Sequence, residues 1–128
     1  MKKYKLIIEK GEDGFWGRLE KPDGIYSFGE TLKLLKANMN DAIKLYFEEN
    51  EFNIHAYEFD IVMDIQNFFI INDYINISNL AKRVGMNSSL LRQYAKGIKH
   101  PNIKQVNKIE LAIKEIGQEL IKTELQFN

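Results

Sequence analysis

The chain has 128 residues, of which 45% are hydrophobic and 28% charged, with 18 basic side chains, 18 acidic side chains and no cysteine. This composition is typical of a globular protein with its own hydrophobic core, and it excludes disordered and fibrous classes. The lack of cysteine excludes disulfides, thiolate metal sites and a cysteine nucleophile, so we expect a soluble protein of the reducing cytoplasm. No stretch approaches the ~20 apolar residues that a membrane span needs, and we predict no membrane partner.

The first half of the chain predicts a small sheet and one helix. Strand-forming residues flank Glu12-Asp13-Gly14, which predicts a hairpin, and Pro22-Asp23-Gly24 predicts a turn before a third strand. Apolar residues then recur at steps of three and four, so a helix should begin after the N-cap Thr31 and run to Glu49 or Asn50. A fourth alternating segment completes the order β-β-β-α-β. The predicted strands cover residues 4–9, 15–19, 25–28 and 57–64.

The second half of the chain predicts helices only. No glycine or proline marks a flexible linker around residue 64, so we expect two directly joined domains, 1–64 and 65–128. The fold class is α+β, with an all-α domain after the sheet-containing one. The predicted helices cover residues 65–74, 78–84, 88–96 and 103 to about 125.

Charge is divided unevenly between the two halves. Residues 1–62 hold nine basic and twelve acidic side chains, a net charge of −3, whereas residues 75–109 hold seven basic and no acidic ones, a net charge of +7. Such asymmetry points to contact with nucleic acid in the basic half, because phosphate binding is driven by cationic surface. The seven are Lys82, Arg83, Arg92, Lys96, Lys99, Lys104 and Lys108.

The segment SNLAKRVGMNSSLLRQYAKG, residues 78–97, has the spacing of two short helices that cross at a steep angle. Ala81 is small where the helices must approach closely, and Gly85 ends the first helix. Asn87 or Ser88 can cap the second helix. Leu80, Val84, Met86, Leu91 and Tyr94 are spaced to form one shared core.

Polar side chains remain on the outer face of the second helix, as on a recognition helix in the major groove. We therefore predict binding to double-stranded DNA, with Lys99 and Lys104 beside the helix on the phosphates. A plain helical hairpin with a solvated polar face is the alternative interpretation. The predicted DNA-binding residues are Ser88, Ser89, Arg92, Gln93, Lys96, Lys99 and Lys104.

Residues 65–120 resemble the helix-turn-helix of the phage-repressor-like class, including the trailing segment GIKHPNIKQVNKIELAI. Residues 1–64 resemble the HicB antitoxin domain, a partial RNase H-like fold. The matching features are the aromatic-rich second strand, the Pro-Asp-Gly turn, the segment GETL and the Ala37-Asn38 pair of the helix. The first turn of that helix departs from the family pattern, because Lys33 and Leu34 stand where the family often has an acidic residue and alanine.

The resemblance implies a type II antitoxin that is not an enzyme and needs no cofactor. Its first domain would cover a small HicA-like mRNA-cleaving toxin, and its second would bind and autorepress the promoter of the operon. We predict Phe15, Trp16, Arg18 and Tyr26 as partner-binding residues. Two domains of about 60 residues each are marginally stable alone, so we also predict a homodimer or a higher homo-oligomer, whose two-fold symmetry would match a palindromic operator.

Two other functions stay open at this point: a transcriptional regulator whose first domain senses a small ligand, and a degenerate nuclease. Asp60 and Asp64 lie on one face of the fourth predicted strand, but no third acidic residue is placed beside them, so a two-carboxylate metal site is disfavoured. His55 and His100 lie in different domains without a metal-spaced partner. We predict no metal site.

Overall fold

The computed structural model describes residues 1–50 and 55–126, and the chain divides into two compact units, Met1–Asp64 and Ile65–Asn128. The first unit is a four-stranded mixed sheet with one helix, and the second contains only helices, so the architecture is mixed α and β. In chain order the elements are β1 (Lys2–Lys10), β2 (Phe15–Leu19), β3 (Tyr26–Gly29), α1 (Leu32–Glu49), β4 (Tyr57–Met63), α2 (Gln66–Ile71), α3 (Ile77–Val84), α4 (Ser88–Ala95) and α5 (Ile103–Ile121).

The sheet has the strand order β3-β2-β1-β4. The strands β1, β2 and β3 pair antiparallel, whereas β4 returns through α1 and pairs parallel to β1. Helix α1 begins after Thr31, whose hydroxyl accepts from the Leu34 amide at 3.1 Å, as the sequence predicts for this N-cap. The parallel pairing of β4 extends β1 beyond the predicted residues 4–9, because Lys2 and Lys3 gain strand partners in β4.

The core of the first unit lies between α1 and one face of the sheet. Alternate residues of β1 point towards the helix, as the two-residue period of a strand requires. On the helix side, every fourth residue faces the sheet, so one stripe of α1 is fully covered. The buried residues of this core are Tyr4, Leu6, Ile8, Leu19, Ile25, Leu35, Met39, Ile43 and Phe47.

Two glycines let the sheet and its loops pack closely. A Cβ atom at Gly29 would lie 2.2 Å from the Leu35 amide nitrogen, so only glycine allows β3 to run directly into the start of α1. A Cβ atom at Gly14 would lie 2.6 Å from the Gly29 carbonyl oxygen, so the β1–β2 hairpin also packs against the end of β3.

Several predicted boundaries are wrong. Helix α2 ends at Ile71 rather than at residue 74, because the Asn72 side chain donates to the Phe68 carbonyl at 2.9 Å and terminates the helix. Strand β4 ends at Met63 rather than at Asp64. Helix α5 ends at Ile121 rather than near residue 125. Just after this end, the Thr123 hydroxyl donates to the Glu119 carbonyl at 2.9 Å.

The second unit packs four helices around one core. Its buried residues are Phe69, Leu80, Ala81, Leu91, Tyr94, Ile109 and Ala112. Across the part of the chain that the structure describes, every helix is too short or too polar to cross a membrane.

Candidate functional site

Capping residues fix where the helices α3 and α4 begin and where α3 ends. Asn76 accepts from the Asn79 amide at 2.9 Å and starts α3, and Gly85 ends it in the left-handed conformation at φ 82°. Asn87 then accepts from the amides of Ser89 and Leu90 at 2.8 and 3.3 Å and starts α4. The predicted turn residue Gly85 is confirmed, as is Asn87, one of the two predicted cap candidates, and the three residues 85–87 join the two helices.

The inner faces of α3 and α4 are anchored in the core of the second unit. Leu80 and Ala81 of α3 and Leu91 and Tyr94 of α4 are at most 5% exposed. The Tyr94 hydroxyl donates to the Gln105 side-chain oxygen at 2.7 Å, which ties α4 to α5. Burial raises the pKa of Tyr94 above its ordinary value. The helix pair is therefore held against a third helix by packing and by a polar contact.

The outer face of α4 carries exposed polar and cationic side chains. Ser89, Arg92 and Lys96 follow one another at steps of three and four and are all exposed, whereas Ser88 is half-buried. The Arg92 guanidinium is not free in solvent, since its Nη2 donates to the Ser78 hydroxyl of α3 at 2.6 Å. Ser78 is a contact that the sequence pattern did not indicate, because the two residues are 14 apart and belong to different helices.

Gln93 departs from the expected outward orientation. Gln93 is half-buried, and its side-chain oxygen is buried without a hydrogen-bond partner among the described residues. The Gln93 carbonyl accepts from the amides of Ile98 and Lys99 at 2.9 and 3.3 Å, so Gln93 holds the loop after α4. The prediction that Gln93 lies fully on the outer face with Arg92 is wrong, because the residue is half-buried and its side-chain oxygen is buried.

Lys99 and Lys104 flank α4, on the loop after the helix and in the first turn of α5, and both are exposed. Asn102 starts α5 by accepting from the Gln105 amide at 2.8 Å. The three helices α3, α4 and α5 thus each begin at an asparagine cap and have no acidic residue in their first turn. Because helix N-termini carry partial positive charge, these three helix ends add to the positive electrostatic potential of the lysines.

One of the seven basic side chains forms an ion pair with a carboxylate of the second unit. The Arg83 guanidinium lies 2.6 Å from the Glu119 carboxylate on α5. The hydrogen bond from Arg83 holds the pKa of Glu119 below its ordinary value, and the bond to Glu119 raises the pKa of Arg83. The other six basic side chains form no ion pair with any carboxylate of the described residues, so they can meet an external anion.

The face of the sheet opposite α1 carries most of the predicted partner-binding residues. Trp16 and Phe28 are cross-strand neighbours there with ring centroids 4.7 Å apart, and Arg18 and Tyr26 form the next cross-strand pair. Trp16 is 58% exposed and Tyr26 is 61% exposed. We call the surface of Trp16, Arg18, Tyr26 and Phe28 the open-face aromatic patch. Large exposed aromatic side chains of this kind are typical of protein contact surfaces.

Phe15 does not belong to this patch. It is half-buried and packs against the core on the α1 side, because neighbouring residues of a strand point to opposite faces. Phe28 takes its place beside Trp16. Phe15 therefore does not share a surface with the other three predicted partner-binding residues.

The candidate metal-binding residues are not brought together. Asp60 lies on β4 and Asp64 follows the strand, where its carboxylate is 3.9 Å from the Arg18 guanidinium. His55 packs edge-on against Phe47, with ring centroids 5.8 Å apart. Residues 1–50 and 55–126 contain no group of three or more histidine and acidic side chains that could hold a metal ion.

No family model, curated protein or solved structure matches the chain. A function must therefore be argued from the residues and their geometry.

Proposed function

We propose that the protein is an operator-binding antitoxin whose α3–α4 pair is a helix-turn-helix of the phage-repressor-like class. The observation that carries the proposal is the two-sided character of α4. One side of α4 is anchored in the core by Leu91 and Tyr94, and the other presents Ser89, Arg92 and Lys96 to solvent. A helix held in this way can enter a major groove without losing its packing.

In the proposed complex, α4 is the recognition helix. Arg92 can pair bidentately with a guanine, since the guanidinium has five donors and Ser78 takes one of them. Lys96, Lys99 and Lys104 contact phosphates around it, where they release counterions and fix the register of the protein on the duplex. Gln93 supports the loop that carries Lys99 instead of reading a base.

The proposed role of the first unit is to bind and neutralise a small HicA-like toxin, consistent with the resemblance of residues 1–64 to a HicB domain of partial RNase H-like fold. The open-face aromatic patch is the surface we assign to this partner. It offers two exposed rings and Arg18 on a face that α1 does not cover. An mRNA-cleaving enzyme needs a basic surface for its substrate, and the excess of acidic side chains in residues 1–62 complements such a surface.

We further propose that the protein acts as a homodimer or a higher homo-oligomer, in which two α4 helices reach successive major grooves of a palindromic operator. Sedimentation at micromolar concentrations should give at least twice the monomer mass of 15.0 kDa. A monomer in that experiment would contradict the oligomeric part of the proposal and leave a single half-site as its target.

The proposal is tested in two arms with the full chain. Fluorescence anisotropy with a duplex from the promoter of its own operon, against a scrambled duplex, should show a preference for the promoter. Co-purification with the product of the adjacent small reading frame should show a complex that Trp16→Ala weakens. Leu45→Ala is the matched control, because Leu45 is also a large apolar residue, 55% exposed, but lies on α1. Equal affinity for the two duplexes would overturn operator recognition, and equal losses in the two variants would overturn the assigned surface.

A further inference from the structure

The first unit contains an open cleft of about 680 Å³ away from the open-face aromatic patch. It lies where β1 begins and where the chain leaves β2, next to the C-terminal half of α1. Its volume is within the range of about 300 to 1,000 Å³ that is typical of small-molecule sites. The predicted DNA-binding and partner-binding residues do not contribute to it.

Four lysines line the cleft, Lys2, Lys3, Lys5 and Lys21. Two of them have carboxylate partners at 3.7 Å, since Lys3 is near Glu58 and Lys5 is near Glu20. Lys2 and Lys21 form no ion pair with a described residue, and the Lys2 ammonium lies 5.4 Å from the centre of the Tyr4 ring. The four lysines stand against Glu20 and Asp60 in the lining, so the cleft carries a net charge of +2 in a unit whose net charge is negative, which favours an anionic ligand.

The other lining residues restrict the kind of anion. Tyr46 and His55 give the cleft planar rings on the side of α1, and such rings can stack on a nucleobase. Asp60 also lines the cleft and can accept hydrogen bonds from N–H or O–H groups. A simple anion such as inorganic phosphate would use only the lysines, whereas a phosphorylated nucleoside would use the lysines, the rings and the carboxylate together.

We propose that this cleft binds the phosphate and base of a nucleotide. Lys2 and Lys21 contact the phosphate, Tyr46 and His55 face the base, and Asp60 accepts from its amino group or from a ribose hydroxyl. The same chemistry is present in a free nucleotide and at the 5′ end of an RNA strand. The inference does not depend on operator or toxin binding, because the cleft shares no residue with either proposed surface.

Isothermal titration of the full chain with ATP should show saturable binding at one site per chain. Lys2→Gln combined with Lys21→Gln should weaken it by about tenfold or more, because the two charged hydrogen bonds to the phosphate together contribute at least that factor. Lys33→Gln combined with Lys36→Gln is the matched control, since it removes the same charge from exposed positions of α1 outside the cleft. This control should bind ATP within about twofold of the parent. Circular dichroism checks that all variants are folded.

Two further arms locate the site and define the ligand. Lys96→Gln combined with Lys99→Gln should leave ATP binding unchanged, and a loss there would overturn the proposal by placing the nucleotide on the basic surface of the second unit. Tripolyphosphate should bind more weakly than ATP, and equal affinity would overturn the role of the rings. Competition of a short 5′-phosphorylated RNA with ATP, without competition by its 5′-hydroxyl form, would identify RNA ends as the source of the ligand. If no nucleotide or RNA binds saturably, the proposal is overturned.

Discussion

The Arg92 guanidinium of α4 donates to the Ser78 hydroxyl of α3 at 2.6 Å. A long, flexible side chain is thereby held in one region of the exposed face before any ligand arrives. Holding it in place reduces the conformational entropy that Arg92 must lose on binding, which favours a specific contact over a diffuse electrostatic one.

Replacing Arg92 by alanine should weaken operator binding by about 1 to 3 kcal/mol and reduce the preference for one base pair, because the proposed bidentate contact with guanine would be lost. Arg92→Lys is the more specific test, because it keeps the positive charge but removes the planar guanidinium. This variant should lose the preference for operator over scrambled DNA while binding scrambled DNA as tightly as the parent does. Leu91→Ala is the control for folding, because it removes a fully buried side chain and should unfold the unit. Binding isotherms on single-base-pair variants of the operator measure these effects, and unchanged preference in Arg92→Ala would place recognition on another segment.

Replacing Lys104 by alanine should weaken binding to all duplexes alike. Lys104 is exposed in the first turn of α5, outside the proposed recognition helix, so in the proposed complex it contacts phosphate only. The slope of the logarithm of affinity against the logarithm of salt concentration should fall in magnitude by about one unit. Titrations at four or more salt concentrations on operator and scrambled DNA give that slope. A loss confined to the operator would mean that Lys104 reads sequence.

Replacing Gly29 by alanine should destabilise the first unit by about 3 kcal/mol or more, because the added Cβ would lie 2.2 Å from the Leu35 amide nitrogen and 2.7 Å from its Cα. Backbone atoms at the start of a packed helix cannot move aside. Gly117→Ala is the opposite case, because Gly117 lies inside α5 with open space where the Cβ would be, and it should stabilise the second unit by about 0.5 to 1 kcal/mol. Urea denaturation measures both, and a neutral Gly29→Ala would show that β3 and α1 can separate at little cost.

Replacing Tyr94 by phenylalanine should cost about 0.5 to 1.5 kcal/mol of stability, which is the usual net value of one hydrogen bond. The ring stays in the core, and only the hydroxyl that donates to Gln105 is lost. Chemical denaturation of the second unit gives the change. A larger loss in operator affinity than in stability would show that the bond also orients α4 for DNA.

Replacing Glu119 by glutamine should make the second unit slightly less stable near neutral pH and no less stable in strong acid. The Arg83 contact lowers the pKa of Glu119 below its ordinary value of 4.5, so the folded state binds this proton less readily than the unfolded state. The stabilisation is therefore present above pH 4.5 and is lost as the pH falls through the lowered pKa. Denaturation midpoints of the parent and the variant should converge in that acid range.

Glu124→Gln is the matched control, because it makes the same charge change beyond the end of α5. It should leave the midpoint unchanged at every pH. A constant difference between parent and Glu119→Gln across the whole range would show that the Arg83 ion pair is not the cause.

The sequence by itself determined the local structure of this protein. Periodicity, turn residues and caps act within a few residues, so the order of the elements in the described residues, the N-cap Thr31 and the left-handed Gly85 could be predicted, and Asn87 was one of two predicted cap candidates. The basic stretch of residues 75–109 was also visible in the sequence, because charge needs only composition. The predicted core contacts of Leu80, Leu91 and Tyr94 followed from helical spacing.

The tertiary structure decided which side chains share a surface. Strand register placed Trp16 beside Phe28 and sent Phe15 to the core, since it depends on pairing between distant segments. Packing in the second unit buried the side-chain oxygen of Gln93, and the packing of α3 on α4 brought Ser78 to Arg92. These features join residues that are 12 or more apart in the sequence, or depend on how one element packs on the next. Helical or strand periodicity carries no information about such contacts.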